Sequence, residues 1–136
     1  TAGAFHSLPV AKRVYDSREG TSPAKIDEGD TVDIDLTTDI DGADSGFPAG
    51  SGTAVVNLTI TGTEQLGFVS LFATGTPLAD VKTSNINWFE TGTTFANSTA
   101  VPVSADGMIT ARVGSDSADA LTARTHIVVD LVGYYL

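Results

Sequence analysis

TAVVNLTIT (residues 53–61) sets its side chains in alternation: Val56, Leu58 and Ile60 fall on one face, Val55, Asn57 and Thr59 on the other. A period of two belongs to a β-strand, whose successive side chains point to opposite faces. TVDIDLTT (31–38) repeats the pattern, with Val32, Ile34 and Leu36 inward and Asp33, Asp35 and Thr37 toward water. In GMITARV (107–113), Ile109, Ala111 and Val113 alternate with Met108, Thr110 and Arg112. THIVVDLVGYYL (125–136) is apolar on both faces apart from His126 and Asp130, which marks a central rather than an edge strand.

Turn-forming clusters separate these runs: SREGTSPAK, DGADSGFPAGSG, TGTEQLG, ATGTPLAD, ETGT, SADG and VGSDSADA. Short strands spaced this way predict an all-β, single-domain antiparallel β-sandwich, jelly-roll or Greek-key-like, of about eight to ten strands. The domain is expected to span 8–136, behind a flexible N-terminal arm over 1–7. The first and last strands should lie near each other. The expected core is Val14, Val32, Ile34, Leu36, Val56, Leu58, Ile60, Phe68, Phe72, Ile86, Trp88, Ile109, Val129 and Leu131. A turn around 116–121 is the single helical candidate.

A chain of 136 residues suits one domain and hides roughly two-thirds of its unfolded surface without a staple. Cysteine is absent, which excludes disulfides, thiolate metal sites and a thiol nucleophile. Seventeen acids against seven bases give a formal charge of −10. Such a surface repels phosphate backbones and anionic lipid, so neither nucleic acid nor membrane is an expected partner. No apolar run is long enough for a membrane span, and no charged segment leads into an apolar one as in a signal peptide. The start at Thr1 fits a cytoplasmic product that has lost its initiator Met, a processed secreted protein or a trimmed chain.

Three of the seven bases, Lys12, Arg13 and Arg18, cluster in KRVYDSREG (12–20), interleaved with Asp16 and Glu19. Two converging guanidinium forks would hold an anion. The interleaved acids and Asp130, alone on an apolar strand, favour an internal ion network instead. In it Arg13 or Arg18 pairs with Asp16 or Asp130 and pins the first strand to the last.

Asp39, Asp41 and Asp44 resemble part of a calcium loop. The EF-hand spacing fails, because the sixth position from Asp39 is Asp44 and the twelfth is Gly50. A solvated acidic edge is the simpler reading. Asn85 and Asn87 flank Ile86 beside Trp88, an arrangement able to bind a sugar by stacking and amide bonds, or to satisfy backbone groups at a strand edge. His6 and His126 lack metal-ligand spacing. No nucleophile elbow, P-loop or dinucleotide fingerprint occurs, so no catalytic residue and no cofactor is expected.

Five blocks together resemble a known family. RVYDSREG is similar to R-V-L-D-T-R-x-G, and FPAGSGTAVVNLTIT to v-P-x-x-A-x-A-V-V-L-N-V-T-x-T. GFVSLFATGTPLADVKTSNINWFETGTTFAN resembles G-y-L-t-V-y-P-s-G-t-P-x-P-x-x-S-N-L-N-f-x-x-G-x-T-x-A-N. VPVSADGMITARV and THIVVDLVGYYL resemble its V-P-V-g-x-d-G-k-i-t-v-y and t-H-v-i-V-D-V-x-G-Y-F. The blocks keep the family's order and span about Phe5 to Leu136. The family is a small β module of actinobacteria and their phages, found on secreted or cell-surface proteins and in virion structural proteins. The acidic 33–46 segment and the long gap before the last strand depart from it.

The resemblance implies a non-enzymatic phage virion structural protein, a capsid decoration or minor tail protein assembled into the virion in the host cytoplasm. Its implied partner is the major capsid or tail protein, with a homo-oligomer such as a trimer to match a symmetric lattice. The alternative is a carbohydrate-binding or adhesive module of the cell surface, hence extracellular.

Overall fold

The computed structural model describes residues 3–116 and 122–136, so the helical candidate at 116–121 lies outside the described residues except for Asp116. In chain order the strands are β1 (Phe5–Asp16), β2 (Ile26–Asp27), β3 (Thr31–Asp35), β4 (Thr53–Glu64), β5 (Gly67–Ala73), β6 (Ile86–Trp88), β7 (Phe95–Pro102), β8 (Met108–Gly114) and β9 (Arg124–Tyr135). A single 3₁₀ turn, Leu78–Asp80, interrupts the β5–β6 connection.

Two antiparallel sheets pack together. One runs β1-β9-β4-β7 with the short β2 also on β9; the other runs β3-β8-β5-β6. The pairing has a simple origin. β1 pairs β9, β3 pairs β8, β4 pairs β7 and β5 pairs β6. Setting β2 aside, the chain is one long hairpin, first strand with last and inward to the β5–β6 tip. Successive rungs go to alternate sheets, and β4–β9 and β5–β8 contacts join them. This is the jelly-roll form of the β-sandwich.

The alternation read from the sequence places the core. Ile34, Leu36, Val56, Leu58, Ile60, Ile86, Trp88, Ile109, Val129 and Leu131 are fully buried between the sheets, joined by Ala54, Val101, Ala111, Val113 and Ile127. Val14 is buried with them, and Val32 is half-buried against them. β9 is central, flanked by β1 and β4.

Two expectations need correction. The first concerns β5, where Val69 and Leu71 belong to the core cluster and Phe68 does not; Phe72 is buried as expected, but on the other face of the strand and outside that cluster. The segment GFVSLFA has apolar residues of both parities, so alternation alone does not choose a face. The outer face takes the phenylalanines because the β5–β6 connection folds over it, and the Ser70 hydroxyl donates to the Thr83 carbonyl at 2.5 Å. The second concerns the arm. Phe5, His6 and Ser7 are not loose but pair with Tyr135, Tyr134 and Gly133 as the first rungs of β1. The ladder continues past it, with Ala4 and Leu136 exchanging backbone hydrogen bonds at 3.0 and 3.1 Å.

Candidate functional site

The basic cluster of 12–20 is built into the β1–β9 ladder. Arg13 opposes Asp130 in register. Its Nε and Nη2 donate to the two carboxylate oxygens at 2.8 and 3.2 Å. Asp16 has a fully buried side chain lying 3.5 Å from Arg13 Nη1. Arg18 closes on Asp16 from beyond the strand end, Nε and Nη2 donating at 2.9 and 2.8 Å and the backbone N–H at 3.0 Å. The four residues thus form one chain, Arg18–Asp16–Arg13–Asp130. Hydrogen bonds from Arg18 hold the Asp16 carboxyl below its ordinary value, against the opposing effect of burial. Both guanidiniums spend their forks on carboxylates of the same chain.

Next to it lies a serine–histidine contact. Ser17 Oγ is 3.0 Å from His126 Nδ1. The same oxygen accepts the Ile127 N–H at 2.8 Å, and the Ser17 N–H donates to the Ile127 carbonyl at 3.0 Å. Ser17 is buried. The pair clamps the end of β1 to β9. Burial, helped by Lys25 and Arg18, pushes the His126 pKa down. His6 stacks on Tyr134 with ring centroids 5.2 Å apart.

The acidic segment is made of turns. Asp39 Oδ1 accepts the N–H groups of Asp41 and Ala43 at 2.8 and 3.0 Å, and Asp44 Oδ1 accepts that of Gly46 at 2.8 Å. Among the described residues no three acidic or histidine side chains converge as a metal site requires, so Asp39, Asp41 and Asp44 do not assemble the calcium loop their spacing suggested.

The SNINW motif also changes meaning. Trp88 is 1 % exposed and belongs to the core, its indole N–H directed at the Glu64 carbonyl at 3.3 Å. A ring packed this way cannot stack on a sugar, and the glycan role considered for Trp88 is withdrawn. Asn85 is a bracket: its Oδ1 accepts the Leu71 N–H at 2.8 Å and its Nδ2 donates to Thr99 Oγ1 at 3.1 Å, tying β5 to β7 across the open side of the sandwich. Asn87 is exposed, with Ser84 Oγ 3.2 Å from its Oδ1.

Asn87 borders a cavity of about 240 Å³ on the outer face of the second sheet, beneath the β5–β6 connection. Phe68, Lys82, Ser84, Arg112 and Asp116 also line it. The sequence marked Arg112 as outward-facing but offered no sign that Lys82 would fold beside it. A second, more apolar hollow of about 280 Å³ is bordered by Phe89 and Phe95, 79 % and 52 % exposed. Phe5, Tyr135 and Leu136 form another exposed apolar group at the paired termini, the rings of Phe5 and Tyr135 5.5 Å apart.

No protein-family model matches this chain, and no curated protein matches it. The five sequence blocks therefore stand alone as the link to a family. Among the described residues no helix is long and apolar enough to cross a membrane.

Proposed function

We propose that this chain is a non-enzymatic structural protein of a phage particle, a capsid decoration or minor tail protein that stabilises the particle by covering part of its surface. The observation that carries the reading is the pair of exposed apolar groups, Phe5–Tyr135–Leu136 at the paired termini and Phe89–Phe95 beside β6 and β7, on a frame whose first and last strands are tied by partly exposed ion pairs. Large exposed apolar groups on an acidic, polar surface are what a protein needs if it acts by burying area against a partner. The family resemblance supplies the virion, and the expected partner is the major capsid or tail protein. The Ser17–His126 pair supports a non-catalytic reading because its hydroxyl is buried and committed to the Ile127 N–H.

The test is to add purified protein to particles lacking it. The reading requires saturable binding and a rise in the particle's melting temperature, both weakened by Phe89→Ser and by Tyr135→Ser. No binding and no thermal shift would remove it. A second reading, a carbohydrate-binding or adhesive module of the cell surface, keeps one supporting observation, the cavity beside Arg112. Glycan binding without particle binding would favour it.

A further inference from the structure

Of the seven cations, Arg13, Arg18, Lys25 and Arg124 each face a carboxylate. Among the described residues Lys12, Lys82 and Arg112 have none within salt-bridge distance, and the last two line the same cavity. Arg112 Nε is shielded from water and has no hydrogen-bond acceptor. Arg124 Nε is also buried without a hydrogen bond, but lies 3.3 Å from Asp27 Oδ1. A desolvated N–H on a charged group without an acceptor is costly, and it marks Arg112 as a cation left without a partner among the described residues.

The position of Arg112 is built. It opposes Ser70 across β5–β8, two rungs from the Phe68–Gly114 pair and on the same face of the sheet. A Cβ at Gly114 would come within 2.5 Å of Phe68 Cζ and 3.2 Å of Arg112 Nη1, so ring and guanidinium converge over a glycine that leaves them room. Lys82 arrives on the covering connection and Asn87 from β6.

We propose that this cavity binds a carboxylate-bearing sugar. A guanidinium fork matches the planar carboxylate, and Lys82 adds a second charge. The Phe68 ring offers an apolar surface to the carbon face of a pyranose. The linked Ser84 hydroxyl and Asn87 amide offer partners for sugar hydroxyls. The volume, below the roughly 300–1,000 Å³ of larger ligand sites, suits a single ring. Asp116 at the edge opposes the anion and limits affinity. This inference does not depend on the particle reading and gives the glycan reading its site; the particle-binding test and the titration below can each fail without the other.

The experiment is a ¹⁵N NMR titration at constant ionic strength with D-glucuronate, D-glucose, acetate and inorganic phosphate. Glucuronate should give saturable shifts at the amides of Lys82, Ser84, Asn87 and Arg112. Arg112→Gln should weaken binding roughly tenfold, the loss of one charge-assisted contact, and Lys82→Ala by less. Asp116→Asn should tighten it. Glucose binding as well as glucuronate would overturn the proposal, as would acetate or phosphate binding equally or more tightly. Glucuronate shifts insensitive to all three substitutions would also overturn it. Lys82 and Asp116 are exposed, so their variants test the proposal even if Arg112→Gln fails to fold.

Discussion

Asp16 concentrates the electrostatics of the first sheet. Its side chain is fully buried while Arg13 and Arg18 remain 41 % and 45 % exposed, so water screens the cations and not the anion. Removing the carboxylate releases Arg18 to water and leaves Arg13 on Asp130; removing the Arg18 side chain leaves the buried carboxylate with the residue 18 N–H and with Arg13 at 3.5 Å. Arg18→Ala should therefore cost about 1–2 kcal/mol, between the values for an exposed and a buried pair, measured by urea denaturation at neutral pH. Asp16→Ala should cost less than Arg18→Ala; the reverse order would show that solvent reaches Asp16. Because its folded pKa is depressed, the stability Asp16 contributes is present above its unfolded value and lost as pH falls through the folded one. His126 acts in the same direction for a different reason. Its folded pKa is also depressed, so the unfolded chain takes up the proton first as pH drops below about 6.5. Stability should decline between pH 7 and 5, and His126→Gln should flatten that part of a melting-temperature profile. A profile unchanged by the substitution would remove the Ser17–His126 clamp from the account.

Among the elements, the β5–β6 edge shows how a glycine can decide packing. A Cβ on Gly67 would lie 2.5 Å from Trp88 Cζ2 and 2.9 Å from the Gly114 carbonyl oxygen. The indole lies across the strand opposite it, since Gly67 and Trp88 are register partners. Gly67→Ala should cost about 1–3 kcal/mol by overpacking, read from denaturation with Trp88 fluorescence as the probe. An unperturbed spectrum and midpoint would mean the indole has room to move. The burial of Trp88 was legible in the sequence, because a period of two puts it on the face of Ile86. The parity of β5 was not, because Phe68, Val69, Leu71 and Phe72 satisfy either face, and the choice belongs to a connection that folds back from residues 74–85.

For the whole molecule, the first and last strands close the hairpin that organises the jelly roll. β1 shields one side of β9, whose other side is held by β4. Deleting residues 1–11 would leave part of β9 as an unpaired apolar edge, and such edges recruit other chains. The truncated protein should self-associate in light scattering at concentrations where the full chain does not. Equal behaviour would mean β1 is dispensable as an edge guard. Since β1–β9 and β3–β8 pair residues far apart in sequence, folding should take milliseconds to seconds rather than microseconds in stopped-flow refolding.

What the sequence determined by itself was local: strands rather than helices, the inward faces of β3, β4, β8 and β9, and the centrality of β9. Side-chain alternation is a property of neighbouring residues and needs no fold to be seen. The acids and bases of the Arg13–Asp16–Arg18–Asp130 chain were likewise visible, though not which pairs with which. Tertiary structure alone decided what depends on distant segments meeting. It turned Phe5 to Ser7 into a strand against the C-terminus, sent Phe68 outward under a folded-over connection, and brought Lys82 beside Arg112. Those positions are set by where the chain returns, and no spacing between adjacent residues encodes that return.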